Sequence, residues 1–218
     1  MKDKLVIRAE SVFLKSDDDL DFGPLDLELA EGEGALVVVQ DLGLMRALMA
    51  SCQGLMPPSA GCISWWKGAE ETRRDQWGEY NFLQQIGYVD RQSQLLNNLS
   101  LLSNLTLYHD YAGTDDGPAR SRKTLDKFGL SRYELIRGEM LPEPKRRLGL
   151  YAQIFCRRVR LLLMERPAQF LDKDFDLVWD MVLAQAKKNG LAYIVFDRHK
   201  SIYPNEYFDE IVTVDLCQ

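Results

Sequence analysis

The sequence predicts an α/β domain built on a largely parallel sheet with flanking helices. Buried strands alternate with helices along much of the chain, and this order favours parallel pairing. The 218 residues suffice for one domain with a sizeable core, and 46% of them are hydrophobic. The charged content of 28% is also ordinary for a globular chain, so wholesale disorder is not expected.

The first third of the chain predicts strands separated by short turns, with one helix. Strands are expected at residues 4–14, 25–29, 35–39 and 62–66, and a helix at 42–55. Residues 25–29 alternate apolar and acidic side chains, as a half-buried strand does. Residues 35–39 form an almost unbroken apolar run, which is typical of a strand buried on both faces. The PPSAG run at 57–61 ends the helix.

The middle of the chain favours helices, and the last third returns to strands that alternate with helices. Further strands are expected at 86–89, 161–164, 192–196 and 210–214, and further helices at 100–111, 121–128, 144–156 and 173–189. Ser100 can cap the first of these helices, and Pro144 suits the first turn of another. Gly190 suits the C-terminal cap of the last. Residues 114–118 are the most loop-like segment between the helices.

Charge and hydropathy narrow the classes of function. The net charge of −6 argues against nucleic-acid binding, and the basic runs at 145–147 and 157–160 do not outweigh it. No apolar run approaches the length of a membrane span, and the first residues lack the pattern of a signal peptide. We therefore expect a cytoplasmic protein.

The cysteines and histidines do not favour a metal site. The four cysteines show no CxxC pairing, and the two histidines lie far apart in the sequence. This spacing does not match that of a zinc site. Reduced cysteines that are buried or incidental are the favoured interpretation. The residues concerned are Cys52, Cys62, Cys156, Cys217, His109 and His199.

Four stretches, taken in order, resemble the nucleotide-binding domain of ATP-binding-cassette (ABC) transporters. They are QGLMPPSAG at 53–61, IGYV at 86–89 with LLNNLS at 95–100, LLLMERP at 161–167 with LD at 171–172, and the strand at 193–196. Each stretch alone is a weak signal, whereas four at the right spacing cover nearly the whole chain. The resemblance implies a P-loop-NTPase-like fold with a mostly parallel core sheet, a small antiparallel β part and a helical subdomain.

The resemblance also implies a domain layout and a set of partners. Residues 1–218 would form one ABC-type domain, with 1–85 and 158–218 as the α/β core and about 92–150 as the helical subdomain. The implied partner is a membrane-spanning transporter subunit, a second ABC subunit or a second copy of this chain. Such a protein binds no nucleic acid and lies at the inner face of the membrane, held there by its partner.

The stretch that corresponds to the family's phosphate loop lacks the side chains this chemistry uses. A phosphate loop needs glycines so that backbone N–H groups wrap the phosphates, a Lys for the β- and γ-phosphates, and a Ser or Thr for Mg²⁺. Counting back from Gly54, Met45 stands at the Lys position, and one glycine remains out of register. The equivalent residues are Gln40, Asp41, Leu42, Gly43, Leu44, Met45, Arg46 and Ala47.

Two interpretations of this stretch are open. Asp41 would repel a polyphosphate, and Leu42 and Leu44 would crowd it, which favours an ordinary helix whose apolar residues pack in the core. Alternatively, Arg46 supplies the missing positive charge. The first interpretation is preferred, so no cofactor is assigned. ATP with Mg²⁺ is the cofactor that the second interpretation implies.

The residues that hold Mg²⁺ and activate water in the family are also altered. Alignment on Pro167 puts Glu165 at the metal-binding Asp and Arg166 at the catalytic Glu. Arg166 cannot activate a water because a guanidinium stays protonated. A shift by one residue would put Glu165 at the catalytic position, but it would lose the match to Pro167. Asp197 replaces the switch His and would repel the γ-phosphate, and His199 lies two residues further on.

The remaining family motifs are degenerate or partial. Arg91 stands at the Gln that senses Mg²⁺, with Gln92 adjacent. The signature segment is Leu141, Pro142, Glu143, Pro144 and Lys145, in place of LSGGQ. Its prolines remove backbone donors, and Glu143 puts negative charge where a phosphate would dock. Leu171 and Asp172 keep part of the D-loop, which works at the dimer interface in the family.

Aromatic residues add two weaker expectations. Phe13 is nearest to the position at which the family stacks adenine, although core packing also suits it. Trp65 and Trp66 fall on a predicted strand, so their rings should point to opposite faces, with one buried.

Three functions stay open from the sequence. The preferred one is a catalytically degenerate ABC-type subunit with a structural or regulatory role beside a membrane-spanning partner, an active ABC subunit or both. The second is a divergent but active ATPase, with Glu165 as metal ligand or base and Arg46 as phosphate clamp. The third is a free-standing interaction protein that uses the same fold.

Overall fold

The computed structural model describes residues 4–15, 21–67, 70–73, 83–111, 115–157, 159–170 and 175–215. The strands are β1 (Leu5–Lys15), β2 (Asp21–Ala30), β3 (Gly34–Val39), β4 (Ala60–Lys67), β5 (Glu70–Arg73), β6 (Ile86–Val89), β7 (Leu161–Glu165), β8 (Ala192–Asp197) and β9 (Glu210–Val214). The helices are α1 (Leu42–Cys52), α2 (Leu101–Tyr111), α3 (Gly117–Lys127), α4 (Glu143–Phe155) and α5 (Phe175–Lys188). Short 3₁₀ turns occupy several of the connections.

A five-stranded sheet carries the order β6-β7-β8-β3-β9. The pairs β7–β8, β3–β8 and β3–β9 are all parallel. Every residue of β3, β7 and β8 is buried, as expected for central strands covered on both faces. The predicted fold class, an α/β fold with a largely parallel sheet, is confirmed.

A second, antiparallel sheet has the order β2-β1-β4-β5. Along β2, Leu25, Leu27 and Leu29 are buried, whereas Asp26 and Glu28 between them are exposed. This alternation is the one predicted from the sequence, because successive side chains on a strand point to opposite faces. The smaller antiparallel part expected from the resemblance is therefore present.

The chain divides into two compact units. The first, here called the sheet unit, comprises Met1–Tyr88, Arg160–Arg166 and Ala186–Gln218. One apolar core joins both of its sheets to α1, and Met45, Trp65 and Phe196 are among its fully buried side chains. Burial of this kind is the main source of the unit's stability.

The second unit, here called the helical unit, comprises Val89–Val159 and Pro167–Gln185. It contains α2, α3, α4 and most of α5. The side chain of Asn104 is fully buried within it. That amide accepts a hydrogen bond from the N–H of Leu96 at 2.7 Å and donates to the carbonyl oxygens of Leu96, Leu99 and Ser100. A buried amide that is fully hydrogen-bonded fixes the loop before α2.

Several element boundaries differ from the prediction. The helix expected at 121–128 begins earlier, at Gly117, with Pro118 in its first turn, so the loop predicted at 114–118 is wrong for these two residues. Proline fits there because the first turn needs no N–H donor. Strand β5 was not predicted, since its EETR sequence lacks apolar residues; pairing with β4 supplies its structure.

Candidate functional site

The carboxyl ends of β7, β8 and β3 lie side by side at one edge of the parallel sheet in the sheet unit. In the register of these strands, Glu165 faces Phe196, and Val38 faces Asp197. Ligands of open α/β sheets bind outside such carboxyl ends. We call this region the carboxyl edge. It contains the predicted site residues Glu165, Arg166 and Asp197, together with the turn that follows β3.

The turn from β3 to α1 is only two residues long, Gln40 and Asp41. Asp41 is the N-cap of α1, with φ −84° and ψ 131°, and its Oδ1 accepts a hydrogen bond from the N–H of Leu44 at 2.7 Å. A phosphate loop places a longer glycine-rich loop between the strand and its helix. Here residues 42–47 are already helical, so an acidic side chain takes the donor that such a loop would turn toward an anion.

The apolar residues of the phosphate-loop equivalent pack into the core. Leu44, Met45 and Leu48 are 6%, 0% and 1% exposed. Arg46 is exposed, and Leu42 and Ala47 are half-buried. These positions match those of a regular helix whose apolar face covers a sheet.

Gln40 is joined to the loop after β8 by two reciprocal hydrogen bonds. Its side-chain Nε2 donates to the carbonyl oxygen of Arg198 at 2.9 Å, and Arg198 Nε donates to the carbonyl oxygen of Gln40 at 2.7 Å. The pair ties together the ends of two neighbouring strands. Sequence reasoning did not identify Arg198, because no spacing pattern relates residues 158 positions apart.

Asp197 is 2% exposed, and its carboxylate is engaged inside the sheet unit. Oδ2 accepts a hydrogen bond from the hydroxyl of Tyr203 at 2.6 Å, and Oδ1 accepts from the N–H of Arg198 at 2.6 Å. The N–H of His199 is a longer donor to Oδ1, at 3.3 Å. Since these donors compensate the buried charge, Asp197 has a local structural role. The His199 side chain is exposed.

Tyr203 is a second residue that sequence reasoning did not identify. Its ring is 4% exposed and packs edge-on against Phe208, with ring centroids 5.9 Å apart. Only the fold reveals its hydroxyl as the partner of Asp197, because the 3₁₀ turn at Lys200–Ile202 reverses the chain between them.

Glu165 is the buried acid at the end of β7. Its side chain is 3% exposed, and its Oε2 lies 3.9 Å from Nε of Arg46, which is itself 52% exposed. The structure thus brings together the two residues that the active-ATPase hypothesis requires. A separation of 3.9 Å is at the outer limit of an ion pair, longer than a charge-assisted hydrogen bond.

Arg166 follows directly and has an unusual backbone. Its φ is +45°, in the left-handed region that non-glycine residues rarely adopt. Its N–H donates to the carbonyl oxygen of Phe196 at 2.9 Å, which holds the chain against β8. The side chain is half-buried, and among the residues the structure describes it has no hydrogen-bond or ion-pair partner.

The signature segment forms the start of α4 in the helical unit. Pro142 is the N-cap, and Glu143 and Pro144 open the helix, which confirms the predicted place of Pro144. Glu143 pairs with Arg146 at 3.3 Å and with Arg147 at 3.1 Å. Its carboxylate is therefore already neutralised by its own helix, where an acidic residue also complements the helix dipole.

Two other predicted positions, Arg91 and Gln92, belong to the helical unit. Arg91 and Gln92 are exposed in a turn of the helical unit, in which Asp90 Oδ1 accepts hydrogen bonds from the N–H groups of Gln92 and Ser93. Leu171 and Asp172 lie outside the described residues. Arg91 has no partner within the described part of the chain.

The aromatic predictions have mixed outcomes. Trp65 is 1% exposed, and its indole N–H donates to the carbonyl oxygen of Cys52 at 3.0 Å. Trp66 is half-buried, with the guanidinium of Arg8 5.3 Å from its ring centroid. The predicted alternation of the two rings is confirmed. Phe13 is half-buried in β1, and its role in stacking adenine stays a prediction.

Burial lowers the reactivity of two cysteines in the described part of the chain. Cys52 is buried, and burial raises the pKa of its thiol to about 12; burial also raises the pKa of Cys156. Thiols of this kind are poor nucleophiles. In the described part of the chain, no group of three or more His, Cys, Asp or Glu side chains is placed to hold a metal ion.

Comparison with known proteins adds relatives by sequence. The chain is 28% identical to the "Cytochrome c biogenesis ATP-binding export protein CcmA" of Paramagnetospirillum magneticum over 182 residues, which cover 83% of this chain and 82% of that protein. It is 32% identical to the protein of the same name from Paraburkholderia xenovorans over 143 residues, or 61% and 60% of the two chains. No protein-family profile matches the chain.

A solved structure from an ABC transporter complex shares the fold of this chain. The structure of cbiO1 from Clostridium perfringens, part of the ABC transporter complex cbiONQ, superposes with a TM-score of 0.82 at 15% identity, covering 99% of this chain and 88% of the other. The chain has the fold of an ABC nucleotide-binding domain. Its relatives by sequence are named ATP-binding export proteins. Among its described helices, none has the length and apolar character needed to cross a membrane.

Proposed function

We propose that this ABC-type domain is a catalytically degenerate subunit with a structural or regulatory role. It would act beside a membrane-spanning transporter subunit, an active ABC subunit or both, and would not hydrolyse ATP itself. The observation that carries the proposal is the two-residue turn from β3 to α1 with Asp41 as its cap. The backbone donor of Leu44 is already bonded to a carboxylate, and a second anion placed there would be repelled.

The chemistry of the neighbouring strand ends supports the proposal. Arg166 stands where the family has its catalytic Glu, and a guanidinium accepts no proton from water. Asp197 stands where the switch His would donate to the γ-phosphate, and its carboxylate is bonded to the Tyr203 hydroxyl. Asp197 cannot take over the family's role without losing this local contact.

Mg²⁺-ATP does not fit the residues present. Of the acids at the carboxyl edge, Glu165 is paired with Arg46, Asp197 with Tyr203 and Asp41 with the α1 backbone. A magnesium site uses oxygen ligands that converge on one point, and these three acids are each turned to a different local partner. We derive no catalytic step from this site.

The signature surface supports the same proposal for a complex. In the family, each ATP lies between the phosphate loop of one subunit and the signature of the other. The segment at the start of α4 presents Pro142, Glu143 and Pro144, and its two prolines offer no backbone N–H donor to a γ-phosphate. A pair of this subunit with an active one should therefore contain no standard composite ATP site.

Partners and location follow from the class of protein. The relatives are named for cytochrome c biogenesis and export, and we propose that this domain likewise belongs to a transport complex. It would lie at the cytoplasmic face of a membrane through its partner. The transported substrate is not assigned.

A divergent active ATPase is the second candidate, favoured by the approach of Arg46 to Glu165. Purification from solubilised membranes, followed by an ATPase assay of the complex, separates the two. The degenerate subunit should co-purify with a membrane-spanning partner, and any ATPase rate of the complex should persist in the Arg46→Ala, Glu165→Ala double variant. A monomer absent from every membrane fraction would sink the proposed role. Loss of turnover in that variant, with intact assembly, would favour the active enzyme.

A further inference from the structure

Three arginines come from three adjacent strand ends at the carboxyl edge. Arg166 follows β7, Arg198 follows β8, and Arg46, in the first turns of α1 after β3, is fixed beside Glu165 at 3.9 Å. Adjacent strands lie about 4.8 Å apart, so the three strands span roughly 10 Å. The three arginines thus belong to neighbouring strand ends within one edge of the sheet unit.

The charges that face outward at this edge are mainly positive. Of the three acids there, Glu165 and Asp197 are 5% and 2% exposed, and the exposed Asp41 is bonded to the α1 backbone. Arg46 is exposed, and Arg166 and Arg198 are half-buried. In a chain with a net charge of −6, a locally cationic edge runs against the overall charge and would attract an anion.

Among the three arginines, Arg166 has a backbone conformation that no described local contact explains. Its backbone is held at φ +45°, and its side chain has no partner among the described residues. Arg198 is bonded to Gln40, and Arg46 approaches Glu165. Strained backbone that no local contact explains is common at binding and switching sites. Arg166 is therefore the leading candidate for a contact with a ligand.

The edge suits a single carboxylate better than a polyphosphate. A chain of phosphates would extend toward the start of α1, where Asp41 already holds the helix donor. One carboxylate needs only a guanidinium fork, with two parallel N–H donors to its two oxygens. The exposed fraction of these arginines leaves that fork open to a group carried on another protein.

We infer that the carboxyl edge binds an acidic side chain of a partner protein, with Arg166 as the principal contact and Arg46 beside it. The inference rests on the proposed function, because an edge occupied by nucleotide could not also take a partner's carboxylate. It assigns to the former nucleotide edge a protein-binding role, and it names the chemistry of the segment that binds there.

The test is a calorimetric titration of the full chain with an acetylated hexaglutamate peptide at about 0.15 M salt. At that ionic strength the Debye length is about 8 Å, so the distant negative charge of the chain is screened and local contacts remain. Arg166→Gly removes the cation and suits the positive φ, whereas Arg166→Lys keeps the charge without the fork. Arg120→Ala, on the exposed face of α3, is the control of equal charge change.

We expect binding by the unmodified chain, at least tenfold weaker binding by Arg166→Gly, an intermediate loss for Arg166→Lys, and a change within twofold for Arg120→Ala. Thermal unfolding of each variant checks that the fold is kept. No binding by the unmodified chain, or equal binding by Arg166→Gly, overturns the inference.

Two further titrations separate the sources of failure. Inorganic phosphate that competes at low millimolar concentration, in an Arg166-dependent manner, would reassign the site to a phosphate group and overturn the inference. Mg²⁺-ATP that binds and displaces the peptide would instead contradict the proposed function. If neither ATP nor the peptide binds, the inference fails and the proposed function stands.

Discussion

The central strands of the sheet unit and the turns that leave them differ sharply. Strands β3, β7 and β8 are wholly buried and pair in parallel, as an ABC-type fold requires. Polar residues in the turns bond to local partners: Asp41 to the α1 backbone, Gln40 to Arg198, and Asp197 to Tyr203. Burial of apolar area constrains the strands, whereas function depends on the residues of the turns, which can differ between chains of one fold.

The strands should respond most strongly to substitution. Leu163 is 0% exposed in β7, and Leu163→Ala should lower the free energy of unfolding by about 2–5 kcal/mol, because the lost methyl groups leave a cavity. Chemical denaturation measures the change. Arg46→Ala is the control at the carboxyl edge, and we expect it to alter stability by less than about 1 kcal/mol. Equal changes in the free energy of unfolding for the two variants would contradict the difference between the strands and the carboxyl edge.

Substitution of Asp197 should cause the next largest loss of stability. Asp197→Ala should destabilise the protein by about 2 kcal/mol, since it leaves the Tyr203 hydroxyl and a backbone N–H without their acceptor. Tyr203→Phe should cost about 1 kcal/mol, and the double variant should cost less than the sum of the two. A double-mutant cycle by denaturation provides these values. Strictly additive losses would show that the 2.6 Å hydrogen bond carries no coupling.

Asp41 tests the cap at the start of α1. Asp41→Ala should cost about 1 kcal/mol, because the N–H of Leu44 loses its acceptor, whereas Asp41→Asn should be almost neutral, as Asn caps equally well. Thermal unfolding compares the two variants. If Asp41→Ala leaves stability unchanged, the carboxylate has no capping role, and its presence needs another explanation.

Substitution of Arg166 tests the backbone strain at the end of β7, and here we expect a gain in stability. Arg166→Gly should stabilise the chain by roughly 0.5 kcal/mol, because glycine adopts φ +45° without a Cβ clash but loses more backbone entropy on folding. Arg166→Ala, which keeps the clash, should bring no gain. A destabilised Arg166→Gly variant would mean that the side chain makes a stabilising contact.

His109 in the helical unit predicts a small pH dependence of stability. Burial, with a smaller effect of the Arg120 charge, lowers the pKa of this imidazole. The unfolded chain therefore binds the proton more readily, so stability should be full above the ordinary pKa of about 6.5 and should fall as the pH drops below it. Melting temperatures between pH 5 and 7.5 measure the slope, which His109→Gln should reduce. An unchanged slope would assign the effect to other groups.

Much of the fold could be predicted because periodicity reports burial. The run at 35–39 predicted β3 to within one residue, and the strand at 210–214 has the predicted bounds. Strand β5 was not predicted because its own charged sequence does not indicate a strand; pairing with β4 makes it one. The start of α3 was predicted as a loop because glycine and proline are typical of loops. They also suit the first turn of a helix.

The sequence analysis named Asp41, Glu165 and Asp197 at the candidate site, but it missed Arg198 and Tyr203 and could not give their arrangement. The sequence gives Asp41 as a charge that would repel phosphate, but its bond to Leu44 depends on where α1 begins. The pairing of Gln40 with Arg198 joins residues distant in sequence. The positive φ of Arg166 could not be predicted, because only glycine announces that conformation.

The central claim is that the carboxyl edge no longer accepts nucleotide, and titration with ATP tests it most directly. The purified full chain is titrated with ATP by calorimetry, with and without Mg²⁺, and its melting temperature is followed in parallel. A ligand at 100 times its dissociation constant would stabilise the fold by about 2.7 kcal/mol. We predict no heat of binding and no shift at millimolar ATP. A Mg²⁺-dependent shift that is lost in Arg46→Ala would contradict the account and restore the site to nucleotide.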